Sequence, residues 1–189
     1  MPVGAAKFGL MAAAGAGGAF TAFGGIISQY ETGGTTYRVH TFRGSGKFVV
    51  SSGEADVDWL IVAGAGAGGN NLGGGGGAGG MQSSSEAAHS AFAASVTSGD
   101  SGTAVHTITV GAGGLNTSAN RGLDGADSVA LGTTSLAGSG GAGNGSLANT
   151  GGSGGGGDGT AAVRGLGTAG QGNEGGDGLA PSYSYAGAG

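Results

Sequence analysis

The run Val57-Asp58-Trp59-Leu60-Ile61-Val62 passes directly into Ala63-Gly64-Ala65-Gly66-Ala67-Gly68-Gly69, and glycine then dominates to residue 189. A bulky, β-prone strand opens into backbone almost free of side chains. Such a backbone carries little chemistry, but it lets chains approach one another very closely. The junction therefore points to a binding or building protein before an enzyme.

Glycine supplies 52 of 189 residues and proline only 2, so the proline content and unbroken G-X-Y register of collagen are missing. Charged residues are 9% of the chain, too few to hold a tether open by repulsion, and short apolar runs recur between the glycines, which argues against a flexible linker. Polyproline-II-type glycine helices, with three residues per turn and bonded side by side through their backbones, fit better. Triplet spacing is visible in Gly151, Gly154, Gly157 and in Gly172, Gly175, Gly178, with register slips between them. The expected fold class is mainly β: a short N-terminal β-sheet, then a glycine-rich region of packed polyglycine-II-type helices with interspersed short strands.

Strand patterns are legible at Thr35 to Phe42, Lys47 to Val50, Val57 to Val62, Val105 to Val110 and Ser128 to Leu131, with a further candidate at Phe92 to Val96. Arg43-Gly44-Ser45-Gly46 marks a turn. Three divisions follow: an apolar docking segment over 1–32, a strand subdomain over 33–63 and a glycine-rich domain over 64–189. The stretch from Phe8 to Ile27 is uncharged, but its glycines and alanines make it a poor membrane span and suit it to wedging among neighbouring subunits. Ordering glycine costs about 1–2 kcal/mol per residue with little apolar burial in return, so a homo-oligomer is expected, a trimer most readily. Residues after Gly53 carry ten acids against Arg121 and Arg164, which disfavours nucleic acid as a partner.

Several motif matches reflect composition. Gly64 to Gly69 satisfies G-x-G-x-x-G, but Asn70-Asn71-Leu72 and five more glycines follow in place of a helix N-terminus able to hold a phosphate. Gly99-Asp100-Ser101-Gly102 with His89, and Gly151-Gly152-Ser153-Gly154-Gly155, lack the scaffold that orients a nucleophile and base. His40, His89 and His106 are isolated, and Asp158 and Asp177 miss the calcium-repeat spacing. No cofactor, metal or catalytic residue is expected. The structural residues singled out are Trp59, as a cap on the N-terminal core, and Gly64, Gly66, Gly68, Gly69, Gly111, Gly113 and Gly114, as points of close packing.

The words Tyr37-Arg38-Val39-His40-Thr41-Phe42, Gly46-Lys47-Phe48-Val49-Val50, Val57 to Gly64 and His106-Thr107-Ile108-Thr109-Val110-Gly111-Ala112-Gly113-Gly114, in this order and spacing, resemble the glycine-rich domain of tailed-bacteriophage structural proteins and tail fibres. The resemblance implies a non-enzymatic virion protein, a tail-fibre or adhesin component involved in host attachment. Its implied partners are other virion proteins, reached through the N-terminal segment, and a host cell-surface receptor. Phage adhesins of this kind present variable, aromatic-bearing loops, and Tyr183 and Tyr185 are the candidates for that role. The alternatives are a capsid decoration or head-fibre protein and, from a different class, an ice-binding protein, which thermal hysteresis would reveal.

Overall fold

The computed structural model describes residues 8–12, 20–95, 103–116, 120–159, 163–178 and 187–189. It is mainly β, and among the described residues it contains no α-helix. A six-stranded sheet is built from β1 (Phe8–Ala12), β3 (Ile26–Thr32), β4 (Thr35–Phe42), β6 (Glu54–Val62), β7 (Met81–Ser83) and β8 (Phe92–Ser95), in the order β3-β4-β1-β6-β7 with β8 also on β6. A three-stranded sheet has the order β2 (Thr21–Phe23), β5 (Gly46–Ser52), β9 (Ala104–Ile108), and β10 (Ser128–Ala130) with β11 (Thr133–Ser135) forms a hairpin. A Thr109–Val129 bridge joins that hairpin to the end of β9. All strand pairs are antiparallel.

The sheets meet in one core of Phe42, Phe48, Val50, Val57, Trp59, Ile61, Ile108 and Ala130. Alternation explains the choice: in β6, Val57, Trp59 and Ile61 are buried while Glu54, Asp56, Asp58 and Leu60 face out. Trp59 is 6% exposed, its Nε1–H donates to the Ser90 carbonyl at 3.1 Å, and its ring stands edge-on to His89. His40 is also buried, donating from Nδ1 to the Gly24 carbonyl at 2.8 Å, with its ring edge-on to Phe48. His106 lies between Phe48 and Phe92.

The boundary drawn at residue 32 falls inside a hairpin, because β3 and β4 pair from Ile26↔Thr41 to Thr32↔Thr35 around Gly33-Gly34. The segment expected to dock elsewhere thus contributes β1, β2 and β3 to the sheets of residues 33–63. β1 lies between β4 and β6, with Gly9 opposite both Thr41 and Leu60.

Beyond the strands, the glycine-rich segments bond to one another through their backbones with a period of three. The N–H groups of residues 63, 66 and 69 donate to carbonyls 80, 77 and 74, and those of 64, 67 and 70 donate to carbonyls 126, 123 and 120. Carbonyls 64 and 67 accept from 138 and 141, while carbonyls 136, 139 and 142 accept from 80, 77 and 74. Each segment therefore serves several neighbours in turn. Residues 154–159 are all buried, at the centre of this arrangement.

Close approach is the reason for glycine here. A Cβ on Gly66 would run into the Ser139 carbonyl, and one on Gly64, Gly69, Gly111 or Gly114 would strike the carbonyl of Ala112, Ala142, Ala126 or Leu123. Gly113 is partly buried in the same segment as Gly111. Gly68 differs, since a Cβ there meets only the Gly74 carbonyl oxygen, at an ordinary 3.6 Å.

Candidate functional site: the loop tip

Three glycine segments leave the strand sandwich where β6, β9 and β11 end, and two return to it, into β7 and β10. Their reversals far from the sandwich gather at one place. Gly69 N–H closes the 70–72 turn on the Gly74 carbonyl, and Asn70 N–H donates to the Asn120 carbonyl at 2.9 Å, joining the first reversal to the second. Gly143 packs against the carbonyls of both Asn70 and Asn120, and the chain turns there through Asn144-Gly145, with Ser146 N–H on the Gly143 carbonyl at 3.0 Å. Gly159 N–H reaches the Leu72 carbonyl at 3.1 Å, and Gly178 abuts the Asp158 carbonyl.

Asparagine marks this end: Asn70, Asn71, Asn116, Asn120 and Asn144 all lie at the reversals. The physical reason is conformational. Asn71, Leu72 and Asn144 hold positive φ angles of 50°, 59° and 46°, and asparagine accepts that region better than other side chains. Asn144-Gly145, with both angles positive, has the two-residue turn chemistry of tight reversals. Leu72 has no such excuse, and a leucine held there costs about 1–2 kcal/mol. Asn116 Nδ2 donates to the Gly68 carbonyl at 3.1 Å, which ties its loop to the first reversal.

Beneath the turns, the Asp158 side chain is fully buried and its Oδ2 accepts the Gly145 N–H. Leu72, Leu115, Leu147 and Val163, each within a few residues of a reversal in sequence, are exposed. The tip thus offers neutral donors and acceptors with exposed apolar side chains, which suits recognition by shape and hydrogen bonding. Lower in the lattice, Ser139 Oγ donates to the Asn149 carbonyl and accepts from Gly155 N–H, while Asp124 accepts from Gly140 N–H, Arg121 and Asn149. Those bonds tie neighbouring segments of the bundle together, the Ser139 pair inside it and the Asp124 carboxylate at its surface.

Tyr183 and Tyr185 lie outside the described residues, although Gly178 and Gly187 on either side of them are lattice positions bonded or packed against residues 157 and 158. The run Gly64 to Gly69 continues into the 70–72 reversal and a returning glycine segment, with no helix after it. The asparagine tip was missed from sequence, although the signal was present: Asn70-Asn71, Asn116, Asn120 and Asn144 each interrupt a glycine run where the chain must reverse.

Residues 40–189, which take in the end of β4, the strands β5 to β11 and the lattice, match the family described as glycine-rich domain. The chain belongs to this family. Comparison with curated proteins and with solved structures gave no match. In this glycine-rich domain the match begins within β4, so β5 to β11 and the lattice fall in one family unit, while β1 to β3 precede the matched residues.

Proposed function

We propose that this glycine-rich domain is a non-enzymatic structural protein of a tailed-phage particle, a fibre or adhesin component that meets the host surface with its loop tip. The observation that carries the reading is the gathering of the asparagine-marked reversals at the end of the lattice remote from the sandwich. A scaffold bonded through its backbone leaves the reversals free to vary, which is what a surface selected for recognition requires. In this reading the lattice segments are packed polyglycine-II-type helices, supported by the period of three in their backbone bonds. The sandwich end joins other virion proteins, and the protein works as a homo-oligomer on the tail or capsid surface.

Labelled antibody against the chain, applied to intact particles, tests the placement. Label on fibres or tail tips is the expected outcome, label over the head favours the decoration or head-fibre alternative, and no label removes the virion reading. Purified protein should also block particle adsorption to the host, and Leu115→Lys, at a residue 64% exposed, should abolish that block without lowering the melting temperature. An unaltered block by the variant would mean that the tip is not the contact surface.

A further inference from the structure

We propose that β3 pairs with the β3 of a second copy of this chain, antiparallel about a two-fold axis at Tyr30. β3 is the edge of the six-stranded sheet, and each of its seven residues is exposed. The backbone groups of Ile27, Gln29 and Glu31, which alternate outward from β4, make no backbone bond among the described residues, and the strand carries neither proline nor lysine, residues that commonly blunt a free edge. Apolar surface lies on both of its faces, with Ile26 59%, Ile27 46% and Tyr30 42% exposed. An edge strand open on both faces is a template for another strand.

The neighbouring strand indicates which partner fits. Tyr30 stands opposite Tyr37 of β4, with the rings stacked at 5.2 Å and 14°. On the other face Gln29 stands opposite Arg38, and Glu31 stands opposite Thr36. Neither Arg38 nor Glu31 has an ion-pair partner among the described residues. With Tyr30 on the two-fold axis, Gln29 faces Glu31 of the second copy. Arg38, Gln29 and that Glu31 then share one row, the two charges standing two strand spacings apart, about 10 Å between Cα atoms, a gap that arginine and glutamate side chains bridge. Symmetry repeats the pair on the other side of the axis. On the opposite face the stacked tyrosines become a row of four and Ile26 comes beside Gly34 of the second copy, while Ile27, on the charged face, comes beside its Gly33.

A self-complementary edge that places Arg38 and Glu31 in the same register specifies a second copy better than an unrelated peptide. The strand edge alone is smaller than a standard stable interface, so the dimer should dissociate in roughly the micromolar range. The pairing is independent of the host-contact reading, which the particle labelling tests separately.

The experiment uses the full chain, which has no native cysteine. Tyr30→Cys should form a disulfide-linked dimer under mild oxidation, since residues facing across antiparallel strands have the Cα spacing a disulfide needs. Gln29→Cys alone should not, whereas an equimolar mixture of Gln29→Cys and Glu31→Cys should cross-link. In sedimentation velocity Arg38→Glu should weaken the dimer about tenfold, and Arg38→Glu with Glu31→Arg should restore it. A protein that stays monomeric to about 500 micromolar, a trimer, or cross-linking of Gln29→Cys equal to that of Tyr30→Cys would each overturn the proposal.

Discussion

Gly140→Ala tests whether the glycine segments are a lattice or a tether. A Cβ at Gly140 would be driven into the Gly122 carbonyl group, far inside contact distance. The chain can absorb the methyl as overpacking, at about 1–3 kcal/mol. Alternatively segment 121–124 can withdraw, losing the Gly140 N–H bond to Asp124 and the Gly122 N–H bond to the Gly141 carbonyl, about 2–4 kcal/mol together. Either route is offset by about 0.4–1 kcal/mol, because alanine narrows the unfolded ensemble. The net loss is about 2 kcal/mol, a fall of about 4–8 °C in melting temperature for a chain of this length. Gly68→Ala is the matched control: with only an ordinary 3.6 Å contact, it keeps the entropic gain and should melt at the same temperature or about 1–4 °C higher. Differential scanning calorimetry of both variants reads the sign directly. Equal shifts, or no shift for Gly140→Ala, would refute the packing argument and leave the segments as a tether.

Trp59→Ala should cost about 3–5 kcal/mol, since it empties a buried aromatic site and orphans the Ser90 carbonyl, and denaturant titration followed by circular dichroism measures it. Burial lowers the pKa of His106, and burial, with Arg38 nearby, lowers that of His40 despite its bond to Gly24. Both rings are therefore more basic in the unfolded chain. Their contribution to stability is complete above about pH 6.5 and is lost as pH falls toward the lowered values, by up to about 1.4 kcal/mol per pH unit for each ring, and His106→Phe should flatten that slope in pH-dependent melting. Leu72→Asn should leave the melting temperature unchanged or raise it, because asparagine tolerates the conformation that strains leucine; a fall above about 1 kcal/mol would mean that the Leu72 side chain itself braces the tip.

The strands of the sandwich were legible where alternation was strong. Thr35–Phe42 matches its expected bounds, and Val57 to Val62 extends only at its start, to Glu54. β1 and β3 left little signal because their neighbours determine their place: β1 is bordered on both edges by strands remote in sequence, and β3 is exposed on both faces. In the lattice, the Gly172, Gly175, Gly178 triplet is the pattern of a segment whose neighbours crowd it at every third residue. The slips in register have a physical cause. Segment 154–159 is buried on all sides, so Gly154, Gly155 and Gly156 meet carbonyls of Gly165, Gly140 and Gly187 respectively, and no single repeat can satisfy three directions. The tip could be inferred only by asking where each glycine run must turn back.

The crosswise bonding between segments also has a mechanical consequence. The segments run between the sandwich and the tip, while the bonds that tie 63–70 to its neighbours lie across that direction. Tension applied at the tip and resisted at the sandwich loads those bonds in shear, many at once, so no single pair carries the whole force. Peeling a segment sideways would instead break them one after another. The domain should therefore be stiff and strong along its length and weak to lateral prying, an anisotropy set by backbone geometry and independent of which side chains the reversals display.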